Sequence, residues 1–325
     1  MHAIHPLIQS ALETVLAGGT VSPETAKEIA LLPDSETPGL LLAARTIRRA
    51  FLGEAAHHCA IVNAKSGRCS ENCAFCAQSS HWPTAVSQYG LLDEASLVAR
   101  GEEAAAWGVR CFSLVTSGLR LLPREMETVC RVVATLRRRT NLEIAASLGL
   151  LSEEDARCLR QAGLVRYHHN LETAASFFPR ICSTHDYAED IATVERAKAH
   201  GLSVCCGGIL GLGEGWAERI ELACTLRDLE VDRVPLNFLT PIPKTPLETQ
   251  PLLAPAEALK SIALFRVLVP RAGITIAGGR SRVLGDYQSW ALLAGATGYM
   301  LGNYLTTPGR DLAADQAMLE AGAWI

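Results

Sequence analysis

The sequence predicts an α/β fold, a (β/α)8 TIM-type barrel behind an amino-terminal helical extension, on three observations. Short β-prone apolar runs alternate with helical stretches eight times from about residue 58 onward. No shift in composition marks a second domain within that series. The unusual polar residues gather just after the apolar runs, where a barrel keeps its chemistry. A doubly wound open sheet is the other architecture such alternation allows. The domain reading is an extension over residues 1–52 and a barrel over residues 53–325.

Amphipathic segments at 7–17 and 25–32 and a longer helix at 40–51 make the extension. Strands are expected at 58–63, 110–116, 142–146, 165–169, 203–206, 233–238, 274–277 and 298–302. Helices are expected at 93–107, 124–138, 152–162, 187–200, 215–229, 255–268 and 286–293. "QAGLVR" and "AHGLSV" each put a glycine between a helix and the next strand, where a left-handed residue ends the helix.

With 325 residues, 49% of them hydrophobic, the chain can bury a large core. Its 30 basic and 34 acidic residues, formal net charge -4, give no reason to expect nucleic acid or an anionic membrane as partner. No apolar run approaches the ~18 residues of a membrane span. The stretch "MHAIHPLIQSALETVLAGG" lacks the basic leader of a signal peptide, so the expectation is a cytoplasmic protein. Eleven cysteines are many for that compartment and, being odd in number, cannot all pair. Cys130, Cys158 and Cys224 fall in helical stretches and read as inert, buried thiols.

Three others stand in "GRCSENCAFCAQSS" as Cys69-x3-Cys73-x2-Cys76, with Phe75 before the last. A structural zinc site needs four protein ligands, and no second C-x-x-C occurs. Thiolates also hold iron–sulfur clusters, and three of them on a four-iron cluster leave one iron free for a small molecule. A loop of Ser, Glu and Asn does not bury thiols as core, which leaves coincidence a poor account.

This motif, after the first strand of a barrel, resembles the radical S-adenosylmethionine enzymes. The resemblance implies a [4Fe–4S] cluster on Cys69, Cys73 and Cys76, with S-adenosyl-L-methionine at the open iron and Phe75 near its adenine. The stretches "NAKSGRCSENCAFCAQSS", "YHHNLET", "VCCGGILGLGE", "VPLNFLTPIPKTPLE", "GGR" and "GNYLTTPG" are further similar, in order and spacing, to biotin synthases. That family converts dethiobiotin to biotin with two adenosyl radicals and sulfur from a second cluster deep in the barrel. Carried over by position, the resemblance implies that Asn170 and Glu172 bind the ribose, Glu172 standing where Asp is common. It implies that Asn237 contacts the ureido ring and that Thr306 and Thr307 hold the substrate carboxylate. The resemblance further implies that His168, where the family usually has Asn, and Asn170 face the substrate. "GGILGLGE" lacks the spacing of a dinucleotide loop and reads as backbone lining the S-adenosylmethionine pocket. A flavodoxin or ferredoxin donor and a homodimer complete what the resemblance implies.

It breaks down where the second cluster belongs. The family's usual [2Fe–2S] cluster takes three cysteines and an arginine; here Ser113, Ala145 and Thr275 occupy three of those positions and only Cys205 remains. Side chains two apart on a strand share a face, so Cys111 points the same way as Ser113. Cys59 on the first strand and Cys182 after the fourth complete, with Cys111 and Cys205, four expected ligands of an auxiliary cluster that is not the usual [2Fe–2S] one. Cys206 is the reserve, and Arg233 reads as a solvated strand-end charge rather than a substitute for the arginine. Two other readings stand beside this one. A barrel without a second cluster would carry out a rearrangement, like methylornithine-forming or hydrogenase-maturing relatives. A non-catalytic iron–sulfur carrier would not need the row of polar strand-end residues.

Overall fold

The structure, a computed structural model, describes residues 4–321. Helices α1 (Pro6–Leu16), α2 (Pro23–Ala30) and α3 (Thr37–Leu52) form the amino-terminal part. Each carries proline in its first turn, and Ser22 caps α2 by accepting from the Thr25 amide at 3.2 Å. Their apolar faces, Ile8, Leu12, Ile29, Leu41 and Ile47 among them, are buried.

The strands are β1 (Cys59–Lys65), β2 (Cys111–Thr116), β3 (Glu143–Ser147), β4 (Arg166–His168), β5 (Ser203–Cys205), β6 (Gly208–Leu210), β7 (Arg233–Phe238), β8 (Gly273–Ile276) and β9 (Gly298–Tyr299). Between and after them lie α4 (Glu94–Ala106), α5 (Pro123–Arg139), α6 (Glu153–Ala162), α7 (Tyr187–Ala199), α8 (Trp216–Asp228), α9 (Pro255–Leu268), α10 (Arg280–Leu284), α11 (Trp290–Leu293) and α12 (Leu312–Ala321). All strand pairs are parallel, in the order β1-β2-β3-β4-β5-β7-β8-β9, with β6 beside β7. A parallel bridge between Cys59 and Met300 returns the last strand to the first, which makes the sheet a barrel. Gly163, at φ 97°, ends α6 in the left-handed conformation before β4, as the sequence expects.

The sequence reading differs in three places. The strand expected at 203–206 is β5, and an additional short strand, β6, follows it, pairing with β7 while Gly208 bridges Glu172. The helix expected at 286–293 is only a 3-10 turn (Gly285–Tyr287) followed by α11, and α10, which ends at Gly285 with φ 50°, precedes it and was not expected. The carboxyl-terminal helix α12 has no clear amphipathic pattern and was not expected.

Along each strand one face looks into the barrel and the other lies under the helices. Phe112, Leu114, Ile144, Tyr167, Val204 and Ile274 fill the outer layer with almost no exposure. Burying each such side chain is worth roughly 1.5–3 kcal/mol. Among the described residues, no helix is long and apolar enough to cross a membrane.

Candidate active site

The cysteine loop leaves β1 at its carboxyl end and is braced from within. The Cys69 amide donates to Gln78 O (3.0 Å) and the Ser80 amide to Cys69 O (2.8 Å). Trp82 Nε1 donates to Cys73 O (3.0 Å), and Ser79 Oγ donates to Glu71 O (2.6 Å). These bonds fix the backbone and leave the sulfurs to be aimed. Cys69 and Cys73 face a pocket of about 240 Å³, Cys76 faces a neighbouring one of about 170 Å³, and Phe75 borders both. Burial pushes the Cys76 thiol up to about 11. Three thiols carried on one braced loop at the mouths of two adjoining pockets suit an iron–sulfur cluster better than any hydrophobic role.

His168, Asn170 and Glu172 line the first pocket as a hydrogen-bonded row. His168 Nε2 meets Asn170 Oδ1 at 2.9 Å, and Asn170 Nδ2 donates to Glu172 Oε2 at 3.3 Å. Glu172 takes a left-handed φ of 61°, a strain that its bridge to Gly208 sustains. Only glycine fits at 208, since a Cβ there would stand 2.4 Å from Glu172 O. Of "GGILGLGE", Gly208 packs its main chain against Glu172, and Ile209 lines the second pocket rather than this one. Burial, reinforced by Asp190, raises the Glu172 carboxyl to about 8; burial also lowers His168 to about 4, so its imidazole is neutral.

Asn237, Thr306 and Thr307 line the second pocket with Phe75 and Cys76. Asn237 is half committed, donating to Gly208 O (3.2 Å) and accepting from the Gly278 amide (2.9 Å). One N–H and one lone pair remain for a ligand. The segment carrying the threonines is anchored by Arg280, whose Nη2 donates to Met300 O (3.4 Å) and to Asp315 Oδ2 (2.5 Å). Neither side chain of that ion pair has any exposed surface.

A third cavity, of about 40 Å³, lies beneath, inside the barrel. Cys59, Cys111 and Cys205 line it with Ser113, Ala145 and Thr275, as the parity of the strands requires. Ser113 Oγ is buried there with no hydrogen-bond partner among the described residues. Burial raises all three thiols, Cys205 to about 11, while Arg166 and Arg233 oppose that rise at Cys111 and Cys205. Arg166 Nη1 is 3.4 Å from Cys111 Sγ, and its other nitrogens bond Ser203 Oγ and Glu143 Oε2, both at 3.0 Å. Three soft donors, an orphaned hydroxyl and two guanidinium groups fit an anionic iron–sulfur cluster.

Three expectations need correction. Cys182 does not join the inner thiols: its Sγ lies 3.9 Å from Cys73 Sγ, at the upper pocket, because residues 178–182 turn back over the cysteine loop and Ile181 O accepts from the Ala74 amide. Cys206 points outward by parity and is fully buried in the apolar layer under the helices. Arg233 is only partly solvated: half-buried at the start of β7, it lines the inner cavity, where Gly273 leaves room for its guanidinium.

Several residues escaped sequence reasoning. Behind Cys73, Glu71 Oε2 meets His185 Nδ1 at 2.7 Å, and His185 Nε2 meets Asp190 Oδ2 at 3.3 Å. Asp190 Oδ1 meets His169 Nε2 at 2.7 Å. Asp190, then Cys182 and Glu71, raise His185 to about 11, making it a cation in the floor of the upper pocket. Only "THDYAED", polar residues just before a helix, hinted at this network. Arg166 was legible by parity, two residues before His168 on the same inward face.

Comparisons with known proteins agree with this geometry. The Radical SAM superfamily model matches residues 64–226, and the Biotin and Thiamin Synthesis associated domain matches 235–323. A biotin synthase of Geobacter sulfurreducens is 50% identical over 312 residues, 96% of this chain and 95% of the relative. One of Oleidesulfovibrio alaskensis is 54% identical over 288 residues, 89% of each chain. Among solved structures, methylornithine synthase superposes with a TM-score of 0.80 at 19% identity, covering 96% of this chain and 95% of that one. The FeFe-hydrogenase maturase HydG from Carboxydothermus hydrogenoformans also gives 0.80, at 16% identity, over 97% of this chain and 78% of that one. At such identities the last two speak for the fold alone. The sequence relatives speak for more: the chain belongs to the biotin synthase family of radical S-adenosylmethionine enzymes.

Proposed function

We propose that the chain converts dethiobiotin to biotin with sulfur drawn from a second iron–sulfur cluster at the inner thiols. The observation that carries this reading is an axial stack. The loop cysteines and two pockets sit at the carboxyl ends of the strands, the thiol cavity sits beneath, and His168 borders both levels. When bound, a [4Fe–4S] cluster on Cys69, Cys73 and Cys76 supplies the electron that cleaves S-adenosyl-L-methionine reductively.

The remaining roles belong to side chains. Asn170 and Glu172 hold the ribose hydroxyls, and Glu172, neutral below about pH 8, both donates and accepts. Phe75 separates the two pockets and packs on the adenine side. The free N–H and lone pair of Asn237 meet the ureido group, and Thr306 and Thr307 donate to the substrate carboxylate. His168, neutral and held by Asn170, faces the substrate between the two levels. Cys59, Cys111 and Cys205 hold the inner cluster, with Arg166 and Arg233 balancing its charge. Three thiolates favour a four-iron type over the usual [2Fe–2S]. Residues 1–52 serve as a helical buttress to the barrel, and the protein works in the cytoplasm as a homodimer reduced by a flavodoxin or ferredoxin.

Anaerobic iron and acid-labile sulfide analysis tests the core of this reading. Reconstituted wild type is compared with a loop variant (Cys69→Ala, Cys73→Ala, Cys76→Ala) and an inner variant (Cys59→Ala, Cys111→Ala, Cys205→Ala). Each variant is expected to keep one cluster. A loop variant without iron removes the sulfur store. In single turnover with dethiobiotin, S-adenosyl-L-methionine and reductant, wild type yields biotin; 5′-deoxyadenosine without any thiolated product points instead to a rearrangement.

A further inference from the structure

The inner thiols sit at the bottom of the barrel. Cys59, Cys111, Glu143, Arg166 and Arg233 are the first residues of β1, β2, β3, β4 and β7. Cys59 lies opposite Cys111, Cys111 opposite Glu143, and Cys205 opposite Arg233. The cavity they enclose continues downward to His57 and Arg110, which precede β1 and β2. The Arg110 side chain is 55% exposed, so one lining residue of the thiol cavity stands in solvent at the amino-terminal face. At the upper end the cavity stops at His168.

The mouth is cationic. Arg110, Arg166 and Arg233 surround it, and Glu143 bridges the first two at 2.8 and 3.0 Å, leaving a net positive rim over three thiols. Guanidinium groups select an anion, and thiol-held iron selects a soft one. Sulfur insertion removes one sulfur atom from the protein per product formed, and that atom has to be replaced from outside.

We infer that the amino-terminal mouth of the barrel, framed by Arg110, Arg166 and Arg233, is an entry port and binding site for hydrosulfide, which resupplies the inner thiol cavity from below. The inference rests on the reading that Cys59, Cys111 and Cys205 hold iron. Substrate and S-adenosyl-L-methionine then use one end of the barrel and the sulfur anion the other. Binding is ligation and ion pairing, with no change of oxidation state.

Two measurements test the port. In the full-length, metal-free chain, each cysteine is alkylated with anionic iodoacetate and neutral iodoacetamide, and rates are read site by site by mass spectrometry. The iodoacetate-to-iodoacetamide ratio at Cys59 and Cys111 should exceed that at the loop cysteines. It should fall about tenfold in Arg110→Glu, less in Arg110→Gln, and stay constant at Cys69 and Cys76. In the reconstituted holoprotein, uptake of radiolabelled sulfide should slow by a similar factor in Arg110→Glu. Ratios indifferent to the charge at 110 overturn the port. If a second cluster forms yet labelled sulfide enters Arg110→Glu as fast as wild type, the port alone fails. If no second cluster forms while the charge dependence of alkylation persists, the functional reading fails and anion entry from below stands.

Discussion

Cys69, Cys73 and Cys76 come from eight consecutive residues, whereas Cys59, Cys111 and Cys205 come from three strands and meet only when the barrel forms. The loop set owes its geometry to local hydrogen bonds and opens toward the pockets. The inner set owes its geometry to strand register, and its environment is guanidinium rather than carboxylate. The upper pocket, by contrast, gathers the Glu71 and Asp190 carboxylates around His185. One chain thus builds two thiol sites with opposite surroundings, the acidic one suited to a cationic ligand and the basic one to an anion.

The largest effect comes from destroying one set at a time. Cys73→Ala should abolish both 5′-deoxyadenosine and biotin while leaving the iron of the inner set, measured by iron analysis and product chromatography. Cys111→Ala should do the reverse: 5′-deoxyadenosine formation stays within a few-fold of wild type and biotin disappears. If both variants lose all iron, the two sites are not independent and the comparison collapses.

Charge sharpens the contrast. Glu172 has its carboxyl raised to about 8 in the folded chain against an ordinary value of 4.5. Its contribution to stability is therefore fully present below pH 4.5 and is lost as pH rises toward 8, by up to about 5 kcal/mol. Glu172→Gln should flatten that part of the ligand-free stability profile in chemical denaturation. Asp315→Asn leaves Arg280 buried beside a neutral amide and should cost ~3 kcal/mol, read as a lower midpoint of denaturation. The smallest change is expected at Cys182→Ser. With that thiol at the loop rather than in the barrel, the iron content of the inner cluster should be unchanged.

Most of the fold was legible because alternating periodicity and glycine punctuation are local signals, as at Gly163. The loop cysteines were legible for the same reason. Parity brought Cys111 to the correct face because a strand repeats every two residues. It had no purchase on Cys182, which sits in an irregular turn whose direction depends on hydrogen bonds to Asn72 and Ala74. Arg233 was half legible: it is a partly solvated strand-end charge, and the glycine at 273 on the neighbouring strand lets it line the cavity as well.

The clamp formed by Arg280 has a consequence for the substrate end of the site. One guanidinium holds Met300 O at the start of the stretch that carries Thr306 and Thr307, and the Asp315 carboxylate at its finish. The stretch is therefore a closed loop in the mechanical sense, stapled by a side chain instead of a covalent bond. Most of the entropy of ordering it is lost on folding rather than on meeting a carboxylate. Cutting the staple at either partner should turn a rigid cradle into a tether, weakening substrate binding from a distance without touching a single contact atom.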